Sequence, residues 1–341
     1  MRKWLLVLLI LFLLACAAGF YFYKTIFGSN VDLGEKERID FYINTEDSLE
    51  DLKSELKAEN ILQNEQAFDI VSMLMQFTKP KPGLYELENG MSNRDLISLF
   101  RAGRQKALKL TFNNFRKVED LIGYFGSQLE SDSTSIAKHF LSEAVKTKYG
   151  VTRDNLMSLF IPNTYQIYWN TKPEKLVARL VQEREKFFDE ERMAKAIKLE
   201  LTKEEIYTLA SIVQKETLVN SEKPRVAGVY INRLKRGQLL QADPTVVFAN
   251  GDFELRRVLN KHLAIDSPYN TYKYEGLPPG PICMPDVSSI DAVLNYEKHK
   301  YLYFCASPDN SGRHLFAKTL IEHNRNADKY RAYLNKQRIF R

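Results

Sequence analysis

The longest apolar stretch of the chain lies near its N-terminus, where residues 4–23 include no charged side chain. A helix rises about 1.5 Å per residue, so this stretch spans about 30 Å, the thickness of the hydrocarbon core of a bilayer. We therefore predict a single transmembrane helix over residues 4–24. Arg2 and Lys3 precede it, and the positive-inside rule then keeps residues 1–3 in the cytoplasm and exports the rest to the periplasmic side of the cytoplasmic (inner) membrane.

A processed lipoprotein anchor is the alternative for this stretch. The residues that end at Cys16 resemble a lipoprotein cleavage box, although Leu14 is unusual in such a box. The apolar run continues past Cys16 as far as Tyr23, which processing at that cysteine would not require. This favours an uncleaved anchor.

Beyond the anchor, helix and strand patterns follow one another in mixed order. Residues 25–36 are polar and predict a linker, and residues 37–107 predict a small accessory module of strand, helix, helix, strand and helix. In that module Ser48 and Asp51 form the pattern of a capping box. A strand at 108–112 opens a larger domain over residues 108–341, with helices near 117–130 and 172–190. Because strands and helices do not alternate, the fold class predicted is α+β and not a doubly wound parallel sheet.

Composition and charge exclude several classes of protein. The chain of 341 residues is 44% hydrophobic and 27% charged, as ordinary globular proteins are. Its 49 basic and 43 acidic side chains are interspersed, which gives no basic stripe for nucleic acid. The three cysteines have no CxxC spacing and no neighbouring histidine pair, so we expect no metal site and no cofactor.

Cys283 and Cys305 would both lie outside the membrane, where a disulfide between them is possible. Cys305, however, lies in the apolar run 301–306, which predicts a buried strand. That position favours a buried free thiol over a disulfide.

The candidate acid is Glu216, at the end of a predicted helix. Thr202 and Glu205 form a capping box, so the helix should start at Lys203. The apolar residues of this helix recur at helical spacing: Ile206, Leu209, Ala210 and Val213. Glu216 falls on the flank of that apolar face, whereas Lys215 should point away toward solvent. Burial would raise the pKa of the Glu216 carboxyl group, as a general acid near neutral pH requires.

A structural role for Glu216 is the alternative, since a glutamate at a helix end can turn to solvent or pair with a nearby arginine such as Arg225. Polar segments rich in proline and glycine further along the chain favour the functional role. They cover residues 240–245, 267–272 and 276–282, and their amide, hydroxyl and aromatic groups suit a sugar ring. Taken singly, each segment could be no more than a rigid turn.

Several motifs occur together in one order and carry a resemblance. They are Ala210–Thr217, Gln241–Thr245, Ser267–Tyr272 and Gly276–Ile282, with further matches at Ile161–Tyr165, Val229–Leu234, Gly312–Phe316 and Glu322–Asn324. Together they closely resemble the endolytic murein transglycosylase family, also called the YceG-like family, over nearly the whole chain. Gln214 and the residues from Cys283 to Asp286 depart from the usual pattern of the family.

The resemblance implies a membrane-anchored enzyme with a LysM-like module, for which residues 37–107 have the right place, and a catalytic domain. It implies that Glu216 is the catalytic acid and that the later motifs bind the glycan. The substrate-binding residues so expected are Gln241, Asp243, Thr245, Ser267, Tyr269, Asn270, Thr271, Pro279 and Tyr165, with Tyr272 as a further aromatic candidate.

By resemblance, the reaction is cleavage of the β-1,4 bond between N-acetylmuramic acid and N-acetylglucosamine without water. Glu216 would protonate the leaving oxygen and then take the proton of the muramoyl C6 hydroxyl, which closes a 1,6-anhydro ring. Nascent peptidoglycan strands are the partner expected, strand termination is a possible role, and contacts to peptidoglycan synthases or division proteins are possible.

Three other functions stay open. The first is a hydrolase of the muramidase type that uses Glu216 and Asp243, although Asp243 could instead bond its own loop. The second is a peptidoglycan-binding scaffold without activity. The third, a pyridoxal-phosphate lyase, is disfavoured by the anchor and by an outward-facing Lys215. His314 and His323 are nine residues apart, which disfavours metal ligation, so we interpret them as structural or cleft-lining groups.

Overall fold

The computed structural model describes residues 2–255, 258–309 and 311–337. Its contacts divide the chain into two compact units. The first holds the chain up to Leu110 together with Gln128–Ser131 and Tyr165–Lys172, and the second holds Thr111–Ser127, Asp132–Thr164 and the chain from Pro173 onward. The predicted α+β class is confirmed, because in these described ranges helices predominate and the strands form three separate two-stranded sheets.

The first unit begins with an apolar helix. Its elements are α1 (Arg2–Phe27), β1 (Arg38–Ile43), α2 (Leu49–Ala58), α3 (Glu65–Leu74), β2 (Gly83–Glu88) and α4 (Asn93–Ala102). Lys3–Phe27 of α1 contains an 18-residue window with a mean hydropathy of 2.8, none of which is buried, so this helix is long and apolar enough to cross a membrane. It continues three residues beyond the predicted end at residue 24.

The compact part of this unit has the predicted order of strand, helix, helix, strand and helix. Strands β1 and β2 pair antiparallel, from Arg38 opposite Glu88 to Ile43 opposite Gly83. The capping box of Ser48 and Asp51 is present at the start of α2. Phe41 and Phe100 are among the side chains that fill the core. Identification of this unit as LysM-like stays a prediction.

The segment predicted as a linker is instead built into this unit. Asn30 and Val31 are buried, and both donate backbone hydrogen bonds to the carbonyl oxygen of Met91. The Asn30 amide also donates to Asn93 Oδ1, at 2.6 Å. The sequence gives little sign of this, because a polar segment held by amide hydrogen bonds shows no hydrophobic periodicity.

The second unit is mainly helical. After β3 (Ala107–Phe112) its elements are α5 (Val118–Gln128), α6 (Ser133–Phe140), α7 (Glu143–Tyr149), β4 (Asn163–Tyr168), α8 (Pro173–Phe187), α9 (Glu190–Leu199), α10 (Lys203–Glu216), α11 (Lys223–Leu234), α12 (Asp243–Asn250), α13 (Asn260–Leu263), α14 (Val287–Leu294), β5 (Tyr303–Ala306), β6 (His314–Ala317) and α15 (Leu320–Lys336), with 3-10 helices at Leu156–Leu159 and Asn220–Glu222. The division between the units falls within β3 and β4, which form the second sheet.

Helix α10 lies at the centre of the second unit. It contacts α11, α12 and α14, and every residue from Ile206 to Val213 is buried. Strands β5 and β6 pair antiparallel, and α15 packs against both. The contacts with α11, α12 and α14 hold α10 in place, and its C-terminal end carries the candidate acid.

All three cysteines are free thiols. Cys283 is fully buried, whereas the strand of Cys305 is only partly buried, which corrects the prediction of a buried strand at 301–306. The reason is that β5 belongs to a sheet of two strands, which covers it incompletely. A free thiol was the favoured interpretation for Cys305, and it agrees with the structure.

Candidate active site

The end of α10 places Glu216 in the second unit. The helix begins at Lys203 as predicted, with the capping box of Thr202 and Glu205 present. It ends at Glu216 because Thr217 adopts an extended conformation. Behind this end, Ser211 Oγ accepts a hydrogen bond from the backbone N–H of Ile282, at 3.0 Å, which ties the proline-rich segment to α10.

Among the residues that the structure describes, the Glu216 carboxyl group has one hydrogen-bond partner, the hydroxyl of Tyr230 on α11. Tyr230 Oη donates a hydrogen bond to Glu216 Oε1, at 2.5 Å. Burial raises the pKa of Glu216 to about 7, although the Tyr230 bond and the charge of Arg233 act to lower that pKa and the charge of Asp243 acts to raise it. A carboxyl group with a pKa near 7 can both give and take a proton at neutral pH.

Neither neighbour named from the sequence behaves as expected. Arg225, the candidate ion-pair partner of Glu216, binds Glu297 instead, with Nε at 2.9 Å from Oε2. Lys215, predicted to point to solvent, is partly buried and donates to Asn114 Oδ1, at 2.8 Å. Since α10 ends one residue later, the long lysine chain can fold beside Glu216 and line the same cavity.

Asp243, the first residue of α12, lies in the same site. Tyr272 Oη donates to Asp243 Oδ1 at 2.5 Å, so its partner comes from a separate segment and not from its own loop. Asp243 and Glu216 both line two cavities. The two carboxyl groups are therefore available to one ligand.

The two cavities differ in volume and lining. The larger, of about 670 Å³, is lined by Arg116, Lys215, Glu216, Asp243, Pro244, Val247, Phe248, Phe253, Leu255, Val258, Ile282 and Tyr330. The smaller, of about 280 Å³, is lined by Glu216, Tyr230, Arg233, Leu240, Gln241, Asp243, Tyr272, Tyr303, Phe304, Leu320 and His323. A chain-like ligand that fills both would present a bond between its units to Glu216.

Gln241 lines the smaller cavity, whereas three other predicted residues are buried in the loops beside it. Thr245, Asn270 and Thr271 are buried. Thr245 Oγ1 and Thr271 Oγ1 lie 2.8 Å apart, and the Asn270 amide donates to the carbonyl oxygens of Leu263 and Ile265. These side chains do not line the cleft. They hold its loops together, because short polar side chains form hydrogen bonds with the backbone of a turn.

The remaining predicted residues are not among those that line the two cavities of Glu216. Tyr269 lines a third cavity, of about 190 Å³, with Arg116 and Phe248, and Ser267 accepts its backbone N–H at 3.3 Å. Pro279 is exposed. Tyr165 belongs to β4 in the first unit and is only 5% exposed, so its side chain lies in the interior there.

The sequence did not single out two residues on α11 that the structure places at the site. Tyr230 bonds Glu216, and Arg233 donates from Nε to the carbonyl oxygen of Leu302, at 2.7 Å, and from Nη1 to that of Leu240, at 2.8 Å. Both lie within the motif Val229–Leu234, and their spacing of three residues puts them on one helix face. That spacing was the available signal.

The two histidines of the C-terminal region have different surroundings. Glu222 is buried and its Oε2 lies 2.7 Å from His314 Nδ1. His323 lines the smaller cavity, its ring stacks on Tyr303, and its buried Nδ1 has no hydrogen-bond partner among the described residues. In the part of the chain that the structure describes, no three His, Cys, Asp or Glu residues are grouped to hold a metal ion.

Comparison with known proteins gives a consistent result. The sequence pattern of the YceG-like family matches residues 41–329. A Bacillus subtilis protein named endolytic murein transglycosylase is 29% identical over 92% of this chain and 90% of its own length. A Streptococcus pneumoniae protein of the same name is 26% identical over 94% of this chain, which spans 64% of that protein.

A solved structure extends the likeness to the fold. The crystal structure of a yceG-like protein from Listeria monocytogenes matches with a TM-score of 0.57 and 28% identity. The match covers 85% of this chain and 99% of that one.

Proposed function

The chain belongs to the YceG-like family, and from this membership and the geometry around Glu216 we propose that it is a peptidoglycan lytic transglycosylase. The names of its relatives, endolytic murein transglycosylase, support murein as the substrate and internal cleavage of strands as the mode. The bond proposed is the β-1,4 link from N-acetylmuramic acid to N-acetylglucosamine.

In the proposed mechanism Glu216 acts twice. Its protonated carboxyl group gives a proton to the leaving glycosidic oxygen as the bond from muramoyl C1 to that oxygen breaks. The resulting carboxylate then takes the proton of the C6 hydroxyl, whose oxygen bonds to C1 and closes the 1,6-anhydro ring. The proton returns to Glu216 and no water is consumed, so a second carboxylate is not required as nucleophile or base.

The observation that carries this proposal is the state of Glu216. Its pKa, raised by burial to about 7, leaves it about half protonated at neutral pH and largely protonated below it, and its carboxyl group lines two cavities. The Tyr230 hydroxyl donates to Oε1, and in this proposal Oε2 is the oxygen that serves the glycan.

Strand shortening tests whether the protein cuts at all and where it cuts. Full-length protein in detergent would be incubated with long uncrosslinked glycan strands, and strand length followed by gel electrophoresis over time. Internal cutting gives early fragments of intermediate length, whereas cutting from the ends releases only short products at first. Wild-type protein that leaves the strands intact, or that behaves like the Glu216→Gln variant, would contradict the proposal and support a peptidoglycan-binding scaffold.

A hydrolase is the second candidate, and one observation favours it. Asp243 faces both cavities together with Glu216, as a second carboxylate that activates water must. The hydrogen bond from Tyr272 holds that carboxylate in place. Product mass separates the two reactions, because hydrolysis adds one water to each cut and transglycosylation adds none.

We propose further that α1 anchors the protein in the cytoplasmic membrane, with the N-terminus in the cytoplasm and the catalytic domain exported. The length and hydropathy of Lys3–Phe27 support a span, and the charges of Arg2 and Lys3 support the orientation. Protease added outside intact spheroplasts should digest the catalytic domain. Protection of that domain until the membrane is lysed would indicate the opposite orientation.

The LysM-like identity of residues 37–107 and a role in ending strand elongation are parts of the same proposal. The strand, helix, helix, strand order of the first unit supports the former. An anchored enzyme would cut strands close to the membrane, which supports the latter. Recruitment by peptidoglycan synthases or division proteins would fit that place, and cross-linking in cells with α1 intact would test for it.

A further inference from the structure

Part of the wall of the larger cavity beside Glu216 is apolar. Val247 and Phe248 from α12 line it together with Phe253, Leu255, Val258 and Ile282. The edges of an amino sugar carry hydroxyl and amide groups, which such walls cannot satisfy by hydrogen bonding. Aliphatic walls instead suit methyl groups and short hydrocarbon chains.

Two cations stand in this cavity without a carboxylate partner. Within residues 2–255, 258–309 and 311–337, neither Arg116 nor Lys215 forms an ion pair with an aspartate or glutamate. The Arg116 guanidinium lies over the ring of Phe253, 4.5 Å from its centroid, and Lys215 donates to the uncharged Asn114. Of the cavity's own carboxyl groups, Asp243 accepts from Tyr272 and Glu216 from Tyr230.

An apolar wall beside two cations that have no ion-pair partner fits a ligand that is both apolar and anionic. The two sugars of murein are uncharged, whereas the peptide stem joined to muramic acid through its lactyl ether carries methyl groups and carboxylates. The stem begins on the sugar ring whose bond is cut, so a stem-binding cavity must adjoin the acid, as this one adjoins Glu216.

We propose that this cavity binds the peptide stem of the muramoyl residue at which the strand is cut. Arg116 and Lys215 pair with stem carboxylates, and the apolar walls receive the alanyl methyl groups. The inference rests on the proposed function, since it takes murein as the substrate. It adds that the protein recognises the peptide as well as the glycan.

A nascent strand offers a second anion, the pyrophosphate that links it to its lipid carrier. The apolar group beside that pyrophosphate is the prenyl chain of the carrier, which lies in the bilayer, whereas a stem begins at every muramoyl residue at which the strand can be cut. The stem satisfies both parts of the cavity.

The test compares strands whose stem carboxylates are free with the same strands after those carboxylates have been amidated, and full-length protein is used throughout. Wild-type protein should cut the free form with a kcat/KM about 10-fold higher, the factor that corresponds to about 1.4 kcal/mol. Arg116→Gln should lose that preference and cut amidated strands as wild type does. Arg116→Lys, which keeps the charge, should retain part of the preference.

The matched control is Arg236→Gln, which removes the same charge from an exposed position just after α11. It should keep the wild-type preference, and a preference lost there too would overturn the assignment to Arg116. Equal cutting of free and amidated strands by wild type, or an equal loss on both in Arg116→Gln, would also overturn it. Wild type that prefers lipid-linked over lipid-free strands, and an Arg116→Gln variant that loses that preference, would overturn the proposal and assign the cavity to the pyrophosphate. Wild-type protein that cuts no strand of any kind would instead contradict the proposed function.

Discussion

The hydroxyl of Tyr230 lies 2.5 Å from Oε1 of Glu216 and donates a hydrogen bond to it. Helix α11 supplies the donor and α10 the acceptor, and the two helices pack against each other. This contact fixes the orientation of a carboxyl group whose pKa, raised by burial, is about 7. It also tunes that group, because a donated hydrogen bond favours the charged form of a carboxyl group.

Tyr230→Phe removes the hydrogen bond and keeps the ring. The pKa of Glu216 should then rise further, because the bond acts to lower it. A general acid is active while protonated, so the fall of kcat/KM at alkaline pH should move to higher pH. The loss of orientation should lower the maximal rate by about 3- to 10-fold, from a hydrogen bond worth about 1 kcal/mol. A pH profile of kcat/KM, measured beside that of wild type, checks the shift and the lower maximal rate. An alkaline fall that moves to lower pH would contradict the effect assigned to Tyr230 on the pKa of Glu216.

Asp243→Asn should move the alkaline fall of kcat/KM in the opposite direction, to lower pH. The negative charge of Asp243 acts to raise the pKa of Glu216, and the asparagine removes it while its oxygen still accepts from Tyr272. Activity should therefore fall off at lower pH than in wild type. In the proposed mechanism the products keep their anhydro ends. Loss of all cutting over the whole pH range would instead make Asp243 a participant in the chemistry.

Glu216→Gln should make the protein more stable above neutral pH. The pKa of Glu216 is about 7 in the folded protein and about 4.5 as an unperturbed side chain, so the folded state binds more protons between these values. The stability that this group contributes is complete below about pH 4.5 and is lost as pH rises through about 7. The glutamine should thus raise the free energy of unfolding at pH 8 by about 1 to 3 kcal/mol. Denaturant titrations at pH 5 and pH 8 check this, and a variant that is less stable at both values would contradict the burial of Glu216.

How far the sequence predicts this site depends on the range of each interaction. The start of α10 and the partly buried position of Glu216 follow from local capping and from helical spacing, and the structure has both. The bond from Tyr230 joins two helices, and the bond between Tyr272 and Asp243 joins segments that are far apart in the chain. Local patterns contain no information about such pairs.

The predictions that the structure corrects also depend on partners that are distant in sequence. Thr245 and Thr271 have the composition of sugar-binding groups, but they bond each other in the interior of the loops. The segment around Asn30 is polar, yet amide hydrogen bonds dock it into the first unit. In each case a partner distant in sequence decides whether a polar side chain faces solvent.

His323→Phe should stabilise the protein slightly. The Nδ1 atom of His323 is buried, and no residue in the described part of the chain forms a hydrogen bond with it; such an atom costs about 1 kcal/mol or more. Burial and the charges of Arg233 and Arg331 lower the pKa of His323, so the ring is neutral at pH 7 and phenylalanine preserves its stack on Tyr303. Thermal unfolding checks this prediction. A lower melting temperature would mean that the nitrogen has a partner, such as an ordered water.

The central claim is that Glu216 cuts the glycan without water, and the mass of the products tests it most directly. Full-length wild type and Glu216→Gln would be incubated with the same uncrosslinked strands, and the fragments weighed by mass spectrometry. We expect wild-type fragments one water lighter than hydrolysis products, and a yield from the variant lower by about 10²- to 10⁴-fold, as for loss of a general acid. Fragments of hydrolytic mass, or anhydro fragments formed equally well by the variant, would contradict the account.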